Sequence, residues 1–475
     1  MMNKKSQKTK DKVVPSAVLL PFILITSCFA LWGFANDITN PMVEAFSRIF
    51  TMGASGGTWV QVVFYGGYGA MAFPAALFIR KYSYKAGILV GLGLYAIGGL
   101  LFLPASSVGM YCPFLIAYFV MTCGLSFLET SANPYILSMG SAKTATRRLN
   151  FAQAFNPMGS LVGMFVATTV IQAKLNPLGS AERAMLPADE FEAIKLNDLH
   201  ILSQPYVTIG LVIFVMFIII ALVKMPKNAD REHNLNLFKT ISKLLRIPRY
   251  HEGVISQTFY VGAQIMCWTF VVQYGQRIFL KYGIAPDALN SGWLYVVNQL
   301  GFLSDTVATN IASGNAISGL TEGGAAHVAQ LYNILAMFVF LIARFVCTFI
   351  LKYIQPGRLL QLLAIGSIVL VLGTIFFEDI KGLYSLIGVS ACMSLMFPTI
   401  YGIALEGMGD DAKFGAAGLI LAIIGGSFLP KIQASIIDMG TILDFPAVNL
   451  SFVLPLICFV VITIYGYRTS KFHLK

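Results

Sequence analysis

The stretch SYKAGILVGLGLYAIGGLLFLPA (83–105) decides the class of this chain. From Ala86 to Ala105 it runs 20 residues without a charge. A helix needs about 20 apolar residues to cross ~30 Å of hydrocarbon. A barrel strand would instead alternate over about 10 residues. The basic turn in front of it, IRKYSYKAG (79–87), fixes orientation and leaves its glycines to helix packing, since Gly91 and Gly93 lie inside an apolar run.

The same pattern recurs along the chain. Spans are expected at about 16–40, 58–80, 86–105, 111–138, 148–173, 206–224, 253–280, 326–352, 358–377, 382–407, 413–437 and 447–467. The chain is 57% hydrophobic and 12% charged, against roughly 25% charged in soluble domains. Lys4, Lys5, Lys8, Lys10 and Lys12 precede the first apolar stretch, which is too long for a signal peptide and lacks its small-residue cleavage site. It reads as a retained first span. With the N-terminus cytoplasmic, 24 Lys and Arg fall in cytoplasmic segments and seven in external ones, which sets the orientation.

The segment from Lys224 to Tyr250 holds seven of these basic residues and divides the spans six and six. The expected organisation is an N-terminal half (1–224), a basic cytoplasmic linker (225–252) and a C-terminal half (253–475), with an external insertion near 281–325. An apolar piece within it, SGWLYVVNQLGFL (291–303), is too short to span and reads as a loop-covering helix. Two six-helix halves are the layout of the major facilitator fold, an all-α membrane protein with both termini cytoplasmic.

Other classes lose support. The net charge of +11 lies in short loops, not in a nucleic-acid-binding face. Cys28, Cys112, Cys123, Cys267, Cys347, Cys392 and Cys458 form no CxxC pair, and the five histidines form no HExxH, so neither metal nor cofactor is expected. No P-loop is present. A membrane-embedded enzyme would want a nucleophile or metal constellation, and a sugar sensor an appended signalling domain; neither appears.

Ionisable groups inside a bilayer are functional candidates by default. Glu129 sits deep in GLSFLETSANPY (124–135); a carboxyl out of water resists ionisation and can take up and release a proton. Asp37, in ALWGFANDITNPMVEAF (30–46), shares a polar face with Asn36 and Asn40, or else ends span 1 together with Pro41. Asn133 lies in the Glu129 motif. Span 5 carries Gln153 and Asn156, and span 7 carries Gln257, Tyr260, Gln264 and Trp268 on one face. Amides and aromatic rings suit a neutral polyol; the same residues can also serve interhelical hydrogen bonding. Arg344 reads as structural, and Lys431 is assigned no role.

Through LETSANPY (128–135), RLNFAQAFNPMG (148–159), YVGAQIMCW (260–268), FPTIYGI (397–403) and AIIGG (422–426), the chain resembles the fucose:proton symporter branch of the major facilitator superfamily. The resemblance implies symport of a monosaccharide and a proton across a bacterial inner membrane, with L-fucose favoured and glucose or galactose as the alternative. It places the proton-linked glutamate at Glu129. The family's late Asn-Asp of span 1 is altered here: Asn40 stands at the aspartate position and Asp37 three residues earlier. The site expected is therefore Glu129 and Asp37 for the proton, with Asn36, Asn40, Asn133, Gln153, Asn156, Tyr260, Gln264 and Trp268 for the sugar. The partners expected are the sugar, the proton and the lipid bilayer, with no nucleic acid, the chain acting as a monomer.

Overall fold

A computed structural model describes residues 14–39, 41–140, 148, 152–153, 155–225, 244, 246–314, 320–351, 353–406 and 412–472. Among these residues, eleven helical segments are long and apolar enough to cross a membrane. The expected span 5 is carried by a helix, Phe155–Val166, and a π-helical turn, Ala167–Gln172, and its beginning lies outside the described residues.

Spans 1 to 4 are Leu19–Thr39, Trp59–Lys81, Tyr84–Leu100 (continued by Phe102–Val108) and Tyr111–Ser138. Spans 6 to 9 are Ala188–Leu222, Pro248–Tyr282, Glu322–Ile350 and Pro356–Phe376. Span 10 is split into Ile380–Met393 and Met396–Leu405. Span 11 runs as Ala412–Leu421, Ala422–Ile424 and Gly425–Ile437, and span 12 is Val453–Phe472. Exposed Leu77, Ile97, Phe119, Phe214, Phe345 and Phe349 would be sticky in water and suit a lipid-facing surface.

Span 3 lies along span 4 and span 6, span 1 along span 5, and span 7 along spans 8, 11 and 12. Small residues permit this closeness. A Cβ on Gly98 would run into the backbone of Met121, and one on Gly99 would lie 2.8 Å from the Tyr206 carbonyl. Between spans 3, 4 and 6, Phe102 stacks on Tyr206 at 4.1 Å, and the Tyr118 hydroxyl donates to the Tyr206 hydroxyl at 2.7 Å.

The basic turn after span 2 is built as a double cap. Ser83 Oγ accepts the Ala86 N–H at 3.0 Å, starting span 3. Lys85 Nζ donates to the Ala221 and Val223 carbonyls at 2.9 Å each, where span 6 ends with unpaired acceptors and a partial negative charge.

Two segments differ from expectation. Span 6 begins at Ala188 rather than near 206, because residues read as an external loop are helical. Asp189 and Glu190 favour the helix N-terminus, and Asp198, fully buried, pairs with Arg183 at 2.5 Å and accepts the Asn176 N–H at 3.0 Å. The insertion folds as two short helices, Gly292–Gln299 and Asp305–Ala312, instead of one helix over 291–303. Gly301 ends the first with φ +72°, a conformation glycine adopts without strain. Trp293 Nε1 anchors the insertion to the Leu331 carbonyl at 2.7 Å.

Candidate functional site

The helices up to span 6 meet those from span 7 onward along two seams, spans 2 with 11 and spans 5 with 8. With basic loops placed cytoplasmic, the hydrogen bonds seen to tie these seams among the described residues lie in their outer and middle parts. Ser427 Oγ donates to the Val62 carbonyl at 2.8 Å. Near the outer ends, Glu322 Oε2 accepts the Ser180 N–H at 3.3 Å, and the Gly323 N–H reaches the Pro177 carbonyl at 3.3 Å. Phe302 of the insertion packs on Phe165 of span 5, with ring centroids 4.9 Å apart. The external side is therefore closed. A cavity of about 570 Å³ remains outside it, lined by Arg48, Gln273, Gln276, Arg277 and Glu322 among others; it contains none of the expected site residues.

Asp37 is 5% exposed, two residues before span 1 ends at Thr39. It thus lies inside the protein and not at a headgroup-facing helix end. Pro41 follows, and the chain restarts as the helix Met42–Ile49. Asn40 lies outside the described residues. Tyr65 of span 2 lies within electrostatic reach of Asp37. One turn further, the Tyr68 hydroxyl donates to Asn36 Oδ1 at 3.4 Å and lies within reach of the Glu129 carboxyl. The Tyr65 and Tyr68 rings are 6.5 Å apart. Each of the two acids thus has a tyrosine of span 2 as a neighbour.

Glu129 is half-buried in span 4, about 14 Å from its cytoplasmic end at 1.5 Å per residue. Asn133, one turn on, donates to the Glu129 carbonyl at 3.1 Å and accepts from Gln153 Nε2 at 3.1 Å. Spans 4 and 5 therefore share a polar chain at the acid. Tyr401 of span 10 lies within electrostatic reach of Glu129 from the other side of the seam.

Asn156 faces span 1, where its Nδ2 donates to the Phe29 carbonyl at 3.3 Å. Gly33 makes this approach possible: a Cβ there would run into the Asn156 carbonyl. Ser160 Oγ adds a bond to the Gly33 carbonyl at 3.4 Å.

The face of span 7 divides. Tyr260 is fully buried and donates to the Met393 carbonyl of span 10 at 3.0 Å, so in this conformation its hydroxyl serves helix contact. Gln264 is half-buried and has no hydrogen-bond partner among the described residues. Trp268 Nε1 donates to Ser390 Oγ at 3.1 Å, and its ring stands edge-on to Phe340 at 5.0 Å. The structure thus brings Asn36, Asp37 and Glu129 near Tyr65 and Tyr68, links Asn133 to Gln153, and leaves Gln264 and Trp268 on span 7.

Sequence reading missed Tyr65 and Tyr68. Their signal was the i, i+3 spacing in FYGGYGA (64–70), which looks the same as a core pair. Arg344 donates to the Ser394 carbonyl at 3.1 Å and covers Phe340 at 4.6 Å, between the two pieces of span 10. Lys431 donates to the Ser55 carbonyl and lies 4.9 Å from the Trp59 ring centroid, so it bridges spans 11 and 2. No cluster of three or more metal-ligating side chains occurs among the described residues.

The sequence profile of the Major Facilitator Superfamily matches residues 25–430. An L-fucose-proton symporter of Haemophilus influenzae is 48% identical over 466 residues, covering 97% of this chain and 99% of that one. A glucose/galactose transporter of Brucella abortus is 30% identical, covering 94% and 93%. A crystal structure of the superfamily transporter FucP in the outward conformation matches with a TM-score of 0.68 at 28% identity, covering 95% of this chain and 99% of that one. The structure of the present chain, by contrast, is closed on its outer side.

Proposed function

The chain belongs to the major facilitator superfamily, in its fucose:proton symporter branch, and from that premise we propose that it carries L-fucose together with a proton into the cell across a bacterial inner membrane. The observation that carries this reading is the placement of Glu129: one carboxyl in the cytoplasmic half of span 4, neighboured by Tyr68 and Tyr401, on a residue whose backbone carbonyl accepts from Asn133, itself bonded to Gln153. Fucose is favoured over glucose or galactose because the fucose relative is 48% identical and the glucose/galactose relative 30%.

In this mechanism residues 1–224 and 253–475 rock as two halves about the site, joined by the basic 225–252 segment. Asp37, nearer the outside, loads the proton, and Glu129 holds it during the passage. Asn36, Asn133, Gln153 and Gln264 bind hydroxyl groups, while Trp268 covers an apolar sugar face. Asn156 and Tyr260 hold neighbouring helices in register. Coupling requires sugar to bind more tightly when the carboxyl is protonated, and by reciprocity the proton to bind more tightly with sugar present. The site draws on residues of a single chain, so a monomer suffices.

The test is uptake of labelled L-fucose in a transport-null host, with competition by unlabelled L-fucose, D-galactose and D-glucose. Self-competition far exceeding that by the other two supports the proposal. Uptake of glucose or galactose in place of fucose moves the chain to the alternative substrate. Binding without flux of any of the three identifies a sensor.

A further inference from the structure

Two amides in span 8 play no part in the mechanism above. Gln330 and Asn333 are three residues apart, hence on one helix face, and both are fully buried. Asn333 Nδ2 donates to the Trp268 carbonyl at 3.1 Å, and its Oδ1 has no donor among the described residues. Gln330 Nε2 donates to Met164 Sδ at 3.2 Å, and its Oε1 likewise has no donor. A thioether is a weak acceptor, and buried carbonyl oxygens are nearly always paired. An amide kept only for helix packing satisfies both its ends, and these two satisfy one each.

Their position gives the unpaired oxygens a use. Asn333 is fastened to Trp268, and Thr269, the next residue, accepts from Gln61 Nε2 of span 2. Met164 belongs to span 5, on the opposite side of the seam from Gln330. When the seam between spans 5 and 8 opens outward, Gln330 loses Met164 and stands on the cavity wall beside Asn333 and Trp268. A pyranose arriving there offers hydroxyl donors to both oxygens and an acceptor to the freed Gln330 Nε2.

We propose that Gln330 and Asn333 are sugar-binding residues of the outward-facing state, reading two adjacent hydroxyl groups of the pyranose next to Trp268. This rests on the sugar:proton symport reading and adds to it the residues that meet the sugar on the outer side of the site.

The experiment compares full-length wild type with Gln330→Leu and Gln330→Met in proteoliposomes, measuring KM and kcat for inward transport together with the unfolding temperature without sugar. The sugar used is whichever of L-fucose, D-galactose and D-glucose the wild type carries. Both variants are expected to raise KM about tenfold, the worth of one hydrogen bond to the substrate, with kcat little changed. The unfolding temperature should be unchanged or higher, because an apolar side chain replaces a half-paired buried amide. Two variants of different shape guard against one that does not insert. A lower unfolding temperature with unchanged KM in the variants would show that Gln330 is a packing residue, and unchanged KM with unchanged stability would equally overturn the inference; in both cases wild-type transport leaves the function standing. A wild type that carries none of the three sugars would overturn both.

Discussion

Asp438 Oδ1, at the outer end of span 11, accepts the backbone N–H of Ala54 at 2.7 Å, from the opposite half of the molecule. Its second oxygen accepts the N–H of Ser55 at 2.8 Å. The short helix leading into span 2 exposes unpaired donors at its start, and a carboxylate is the group that satisfies them. Gly53 leaves the room, since a Cβ there would lie 2.9 Å from Asp438 Oδ1. Lys431 holds the carbonyl of the same Ser55. The contact ties the two halves together on the closed outer side.

Asp438→Ala should therefore favour the outward-open form. Losing a helix cap costs about 0.5–2 kcal/mol, a shift of roughly two- to thirtyfold between the two forms. Gln276→Cys, placed in the outer cavity in a Cys112→Ser background, reports this through its rate of labelling by an impermeant maleimide. Faster labelling in Asp438→Ala is expected. An unchanged rate would show that the cap does not hold the closed state.

The two acids separate by what each variant loses. Glu129→Gln should abolish accumulation driven by a pH gradient while keeping sugar exchange across the membrane, because the amide imitates a protonated acid. Asp37→Asn should weaken accumulation and alter the pH profile of transport, since its buried carboxyl is then lost as a loading group. A wild-type pH profile in Asp37→Asn would leave Glu129 as the only titrating site.

Gly159 faces span 1 so closely that a Cβ would run into the Ala30 carbonyl. Gly159→Val should separate spans 1 and 5 and destabilise the fold by about 1–3 kcal/mol, as overpacking does. It should also displace Asn156, which lies on the same contact. A lower unfolding temperature together with reduced transport is expected in detergent and in vesicles; unchanged values of both would contradict the contact.

At the outer rim, Glu378 accepts from Lys281 at 3.0 Å and pairs with Arg277 at 3.4 Å. The Lys281 hydrogen bond holds its carboxyl below the usual carboxylate range. A depressed acid stabilises the fold above its unfolded pKa, and that contribution disappears only as pH falls through the folded value. A mildly acid medium that drives symport thus leaves the pair intact. Being solvent-screened, the pair contributes little to stability. Glu378→Gln should lower the unfolding temperature slightly and leave the pH profile of transport unchanged, which calorimetry and uptake measure together.

Local chemistry made the spans readable from sequence, since an uncharged run must cross lipid, and it made Glu129 a candidate, since a lone carboxyl within such a run stands out. Tyr68 did not stand out, because a tyrosine in an apolar helix looks like packing until its hydroxyl is seen on Asn36. Lys431 had no visible reason, since its partner Ser55 lies 376 positions away. The start of span 6 was missed because DEFEAIKLNDLH (189–200) is too polar to score as a span, although its buried Asp198 and Arg183 hold it against the fold. Gln330 and Asn333 sat in HVAQLYN (327–333) at a step of three, a signal no different from ordinary polar spacing without the seam beside it.

The central claim is that sugar and proton move together through Glu129. The direct measurement is the external pH of a lightly buffered, de-energised suspension of cells carrying the protein, after a pulse of L-fucose. The account predicts prompt alkalinisation that saturates with fucose, is absent with D-glucose, and is lost in Glu129→Gln. Saturable entry of labelled fucose with no change in pH, or undiminished alkalinisation in Glu129→Gln, would contradict it.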